Sequence, residues 1–142
     1  MGLSPNLLRG IEALGFREPT PIQESVIPAL LANQTDLIGL AQTGTGKTAA
    51  FGLPALQHID ADNAVPQLLV LSPTRELCLQ IAGDLENYSR FLNGIKVVAV
   101  YGGASMDQQI GALKRGAQVI VATPGRMHDL LRRKRVNLSQ IS

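Results

Sequence analysis

Four short apolar runs punctuate the chain: Leu37 to Leu40, Leu68 to Leu71, Val97 to Val100 and Val119 to Ala122. Each is continuous rather than alternating, the pattern of strands buried on both faces and hence of a parallel sheet. Helical patterns fill the intervals, over Lys47 to His58, Arg75 to Leu92, Met106 to Arg115 and Gly125 to about Arg133. Strand alternating with helix predicts an α/β fold built from βαβ units, with helices on both faces of the sheet. Two more helical patterns occupy residues 1–35, an extension ahead of the core at 36–142. Ser4-Pro5, Thr20-Pro21 and Thr123-Pro124 each set an N-cap residue before a proline at the first helical position. Thr20 to Gln23 and Ser105 to Gln108 fit the capping box, in which each end of the pair satisfies a free amide of the other. Gly15, Gly94 and Gly116 read as helix stops. Ala61 to Pro66 reads as a surface loop, and Pro28 is expected to kink or end the second helix.

Composition narrows the class. The 142 residues are 45% hydrophobic and 17% charged, enough for one globular core and unlike a disordered chain. A formal charge of +2 says nothing about partners, so any binding of phosphates must come from local placement. The one cysteine, Cys78, excludes an internal disulfide and suits a reducing compartment, so a cytoplasmic location is expected. No signal peptide is recognisable, and no apolar run approaches the ~18 residues of a membrane span. With no tryptophan, two tyrosines and three phenylalanines, a platform for stacking several bases is not expected.

The first apolar run leads into AQTGTGKTA, residues Ala41, Gln42, Thr43, Gly44, Thr45, Gly46, Lys47, Thr48 and Ala49. Ligands of parallel α/β sheets bind beyond the carboxyl ends of strands, and this is such an end. Gly44 and Gly46 permit backbone conformations closed to other residues, so that loop and helix-start amides converge on an anion. Lys47 adds a charge for the β- and γ-phosphates and Thr48 a hydroxyl for Mg²⁺. The general phosphate-loop pattern has glycine where Ala41 stands. The plainer alternative is a glycine turn with an incidental Lys-Thr.

Other strand ends carry similar chemistry. Thr74 reads as an N-cap, which puts Arg75 in the first turn of the next helix; Arg126 follows Thr123-Pro124-Gly125 in the same way. A cation there opposes the helix dipole at a cost of roughly 0.3–1 kcal/mol. The third run ends in Tyr101-Gly102-Gly103, where main chain can approach a ligand unobstructed. Together these features suit an external polyanion held by arginine and helix amides. Alternatively, each arginine reaches solvent or a carboxylate such as Glu76.

GFREPTPIQ at 15–23, AQTGTGKT at 41–48, PTREL at 73–77, Gly102-Gly103 and TPGR at 123–126 resemble, in order and spacing, the motifs of DEAD-box RNA helicases. The likeness covers nearly the whole chain, and the family also has alanine at the position of Ala41. It implies a RecA-like P-loop NTPase lobe, truncated, and an ATP-dependent RNA helicase as the parent protein. Residues 1–35 would then be an adenine-recognition extension, with Gln23 reading the adenine edge and the backbone near Arg17 and Glu18 adding a contact. A carboxamide suits that task because it both accepts and donates. ATP and Mg²⁺ would be the cofactors, held through residues 41–49. Pro73, Thr74, Arg75, Gly102, Gly103, Thr123, Pro124, Gly125 and Arg126 would line a track for RNA phosphates and sugars, independent of sequence.

The family's Asp-Glu-Ala-Asp is not in these residues, nor are its Ser-Ala-Thr motif and second lobe with an arginine finger. Phosphoryl transfer needs those charges together, so negligible hydrolysis and no unwinding are expected of this stretch alone. By analogy the acidic-motif strand lies beside the phosphate-loop strand, and without it an apolar edge prone to aggregation is expected. Two competing readings are a P-loop ATPase acting on DNA or protein, which TPGR and PTREL disfavour, and a non-catalytic nucleotide- or RNA-binding fragment. Arg132 to Arg135 reads as a solvated helix cap, His58 and His128 as surface residues, Cys78 as a packing residue and Phe16 as packing its turn.

Overall fold

A computed structural model describes residues 2–32, 36–42 and 44–142. The chain divides into two compact units, one formed by Met1–His58 with Asn87–Leu92 and the other by Ile59–Glu86 with Asn93–Ser142.

The first unit contains helices α1 (Pro5–Ala13), α2 (Pro21–Ala32) and α3 (Lys47–Gln57). Ser4 caps α1 by accepting from the Leu7 amide, and Pro5 opens it. Gly15 ends it at φ +85°, where the Phe16 amide reaches back to the Ile11 carbonyl. α2 packs against α3, and Leu7, Val26, Ile27, Ala50, Leu53 and Leu56 supply the buried apolar surface. α2 runs through Pro28 to Ala32 rather than ending there. The Gln57 carboxamide fastens the N-terminal segment, accepting from the Ser4 amide at 2.7 Å and donating to the Gly2 carbonyl at 2.8 Å.

The run Leu37 to Leu40 does not form the expected buried strand. Ile38 is 90% exposed and Leu40 89%, and residues 36–40 have no ladder partner among the described residues. Apolar composition supplies a strand's surface but not its hydrogen bonds, and without a neighbouring strand it has nothing to pack into.

The second unit is the βαβ part. Strands β1 (Leu68–Leu71), β2 (Val97–Val100) and β3 (Val119–Ala122) form a parallel sheet ordered β1-β3-β2. Helices α4 (Arg75–Tyr88), α5 (Met106–Lys114) and α6 (Pro124–Arg132) follow the strands in turn. Only the central β3 is buried throughout; β1 and β2 are half-buried edges, less enclosed than their continuous apolar runs suggest. Ile120 and Ala122 join Val100, Met127 and Leu130 in one core cluster, against which Met106, Ile110 and Leu113 of α5 pack. Val119 and Val121 alternate to the other face. There the Cys78 thiol of α4 lies 3.3 Å from the Val121 carbonyl oxygen. α4 stops at Tyr88, short of Leu92, because residues 87–92 turn more tightly, with Arg90 bonding Asn87 and Leu92 bonding Ser89.

α6 ends in an unusual way. The Arg135 amide reaches the Leu130 carbonyl and the Lys134 amide the Leu131 carbonyl, a Schellman closure with lysine, φ +54°, where glycine is usual. The run Arg132 to Arg135 is exposed, with Arg133 paired to Asp129 at 3.3 Å, consistent with a solvated cap. His58 and His128 are likewise exposed. Among the described residues no helix is long and apolar enough to cross a membrane.

Lys134→Gly is expected to raise unfolding stability by about 0.5–1 kcal/mol, because relief of left-handed strain outweighs the added freedom of the unfolded chain. Denaturant titration checks this, and a loss of stability would contradict it. Burial pushes the Cys78 thiol up, and a backbone hydrogen bond at Val100 only partly offsets that. A thiol reagent near about pH 8, below the ordinary thiol range, is expected to spare native Cys78 and modify it once the chain unfolds. Equal rates in both states would contradict the buried placement.

Candidate functional site

The glycine loop is shaped by its own side chains. Gly44 and Gly46 adopt φ +81° and +84°, the left-handed region that favours glycine. At Gly44 an added Cβ would meet nothing within 4 Å, so only the backbone conformation calls for glycine there. Thr45 donates its hydroxyl to the Gln42 carbonyl at 2.6 Å, and Lys47 donates its ammonium to the Ala41 carbonyl at 2.8 Å. Gly46 is the N-cap of α3 and offers no side-chain acceptor, and no carboxylate stands in the first turn. The first helical bond runs from Ala50 to Gly46, so the amides of Lys47, Thr48 and Ala49 have no partner within the helix. That is an anion-directed helix terminus with a lysine beside it. Thr43 lies outside the described residues.

Gln23 ties α2 to this loop. It is 8% exposed; its Oε1 accepts from the Thr20 amide at 3.0 Å and its Nε2 donates to the Gly46 carbonyl at 3.2 Å. A Cβ at position 46 would collide with Gln23 Nε2 and come within 3.2 Å of Thr20 Oγ1. Gly46 is therefore required twice, for its backbone angle and for this close approach. The capping box forms from one side only. Gln23 reaches back to Thr20, but Thr20 Oγ1 is buried with no hydrogen-bond partner, the one such side-chain atom among the described residues. Each end of the Gln23 amide keeps capacity for a second bond. Arg17 and Glu18 are exposed in the turn between α1 and α2. Phe16 is 43% exposed rather than packed into its turn, with its ring 6.3 Å from that of Tyr88.

In the second unit, strand register aligns three ends. Leu71, Ala122 and Val100 are level, and the ladder continues with Ser72 donating to the Ala122 carbonyl and Thr123 to the Val100 carbonyl. Thr74 caps α4 by accepting from the Leu77 amide at 3.2 Å. Arg75, in the first turn, lies over the Tyr101 ring at 5.0 Å, with its Nη1 3.4 Å from the Cβ position of Gly103. A cation–π contact of about 0.5–1 kcal/mol matches the dipole misfit of its position. Arg126 donates to the Ala104 carbonyl at 3.3 and 3.2 Å and to Gln109 Oε1 at 2.9 Å. Those bonds use three of its five N–H donors. Neither arginine is held by Glu76. Pro73, Thr74, Gly102, Gly103, Pro124 and Gly125 are exposed around them, and Thr123 is half-buried without a side-chain capping bond.

Tyr101 and Gln109 are the site-shaping residues that motif reading passes over. Gln109 is buried, accepts from the Tyr101 amide at 3.3 Å and donates to the Tyr101 carbonyl at 3.1 Å. Its signal in the sequence is a carboxamide within the apolar face Met106, Ile110, Leu113 of α5.

A profile of the family described as DEAD/DEAH box helicase matches residues 20–142. The chain is 50% identical over 141 residues to "ATP-dependent RNA helicase DeaD" of Haemophilus influenzae, covering 99% of this chain and 23% of that protein. It is 51% identical over 139 residues to the protein of the same name from Mycobacterium tuberculosis, covering 98% of this chain and 24% of the relative. Among solved structures, a DEAD box protein from Methanococcus jannaschii superposes with a TM-score of 0.93 at 37% identity, over 100% of this chain and 38% of that one. S. cerevisiae Dbp5 bound to RNA and ADP BeF3 gives 0.88 at 39% identity, over 99% of this chain and 35% of that one. The chain thus spans about a quarter of these curated relatives' length, and with its parallel sheet, glycine loop and aligned strand ends it belongs to the DEAD/DEAH box helicase family.

Proposed function

We propose that this chain binds ATP at the glycine loop of the first unit and the backbone of single-stranded RNA at the strand ends of the second. Within a protein of its relatives' length it would serve an ATP-dependent RNA helicase. A second lobe would complete the nucleotide site, and closure on ATP would bend the strand and part short duplexes. The observation that carries the nucleotide reading is the bond from Gln23 to the Gly46 carbonyl, which sets a buried carboxamide against a helix terminus lined by free amides. The unpartnered Thr20 hydroxyl beside Gly46 fits a site meant to be completed by a polar ligand.

Loop residues Ala41 to Gly46 with the amides of Lys47, Thr48 and Ala49 would cradle the phosphates. Lys47 would exchange its bond to Ala41 for phosphate oxygens, and Gln23, with the backbone near Arg17 and Glu18, would receive adenine. Thr48 is the residue here that would hold Mg²⁺, which supplies charge neutralisation of the phosphates when bound. Among the described residues no group of three or more acidic, histidine or cysteine side chains could hold a metal by itself. Across residues 73–75, 102–103 and 123–126, Arg75 and Arg126 with nearby amides would position RNA phosphates without reading sequence. That the S. cerevisiae protein is bound to both RNA and ADP BeF3 supports a reading with two ligands.

Gln23→Ala is expected to erode the preference for ATP over GTP, and Lys47→Ala to weaken ATP by at least about tenfold, the loss of one charge-assisted bond. Titration of fluorescent nucleotide analogues checks both, and unchanged selectivity with unchanged affinity would contradict the nucleotide site. Arg75→Ala is expected to weaken RNA of any sequence, lowering the slope of log affinity against log salt by about 0.7. An unchanged slope would remove Arg75 from the RNA track.

A further inference from the structure

We infer that Gln109 is a positioning residue for RNA binding: one buried carboxamide fixes the Tyr101–Ala104 turn and the Arg126 guanidinium together, and through Tyr101 the seat of Arg75. This rests on the RNA reading above and adds to it the residue on which both arginines depend.

The geometry is specific. Gln109 Oε1 accepts from Arg126 Nη1 at 2.9 Å and from the Tyr101 amide at 3.3 Å, while Nε2 donates to the Tyr101 carbonyl at 3.1 Å. Both main-chain groups of Tyr101 are thereby fixed at the end of β2, and the ring is the surface over which Arg75 lies. Arg126 spans from Gln109 to the Ala104 carbonyl, closing the turn on its far side. The Gly102-Gly103 turn is therefore held at both ends and is itself exposed.

The plain alternative is a staple that only holds loops. Gln118 is such a staple: buried, it takes the Lys96 amide and the Ala61 and Gly94 carbonyls, all main chain. Gln109 differs in grasping a cation at the carboxyl ends of the strands. A neutral acceptor there orients the guanidinium and leaves its full charge for a ligand. A carboxylate would neutralise that charge and face the Tyr101 carbonyl with no donor.

The test measures RNA affinity across a salt series, and ATP affinity without RNA, in the intact protein with Gln109→Ala, Gln109→Glu, Arg126→Ala and the Gln109→Ala/Arg126→Ala pair. Gln109→Ala is expected to weaken RNA about tenfold, equivalent to one lost charge-assisted contact. In the Arg126→Ala background the same change is expected to cost clearly less, because the two act as one unit. Gln109→Glu is expected to lower the salt slope by about 0.7, one phosphate contact, with ATP affinity retained. A staple alone would give additive losses and an unchanged slope. If Gln109→Ala does not fold, the slope of Gln109→Glu decides. If Arg75→Ala and Arg126→Ala weaken RNA but both Gln109 variants bind like the parent, the inference is overturned. If the arginine variants themselves leave RNA affinity intact, the RNA reading fails first.

Discussion

Parallel pairing in register is the constraint from which the second unit's chemistry follows. With β3 between β1 and β2, and Leu71, Ala122 and Val100 level, all three strands release their chains at one edge of the sheet. Two of those exits lead directly into helices, α4 and α6, and the third into a glycine turn before α5. Amides, arginines and open backbone thus gather in one place because both neighbours pair with the central strand in the same register. All four β3 residues are buried, so the strand is packed on both faces.

Electrostatics then separates scaffold from site. Arg75 and Arg126 stand in first helical turns, where the dipole disfavours them. The fold tolerates them by lending neutral partners, an aromatic face for one and carbonyl oxygens for the other. Neither contact consumes a charge. Lys47 follows the same rule in the first unit, resting on the Ala41 carbonyl. A cation held by a neutral acceptor is oriented but remains available to phosphate, whereas an ion pair would compete with it.

Much of this is legible in the sequence. The three paired strands, the helix starts at Pro5, Pro21 and Pro124, and the left-handed glycines at 15, 94 and 116 follow from local stereochemistry, which sequence encodes directly. What escaped depends on partners distant in sequence. The run Leu37 to Leu40 has the composition of a strand, but pairing is a property of two segments. The Thr20–Gln23 box forms by half, and the same Gln23 side chain also reaches Gly46, 23 residues away. Tyr101 and Gln109 became visible as site residues only once β2, α5 and α6 were brought together. A lone carboxamide in an apolar helical face was their one trace in the sequence.

The central claim is that phosphates are recognised at two places, nucleotide at the glycine loop and RNA at the sheet's carboxyl edge. The most direct measurement is an amide NMR map of the labelled chain, titrated separately with ATP and with a single-stranded RNA oligonucleotide. ATP is expected to move the amides of residues 44–49 and Gln23, and RNA those of Arg75, Gly102, Gly103, Gly125 and Arg126. Saturating ATP that leaves residues 44–49 unmoved, or bound RNA whose shifts bypass the strand-end loops, would contradict it.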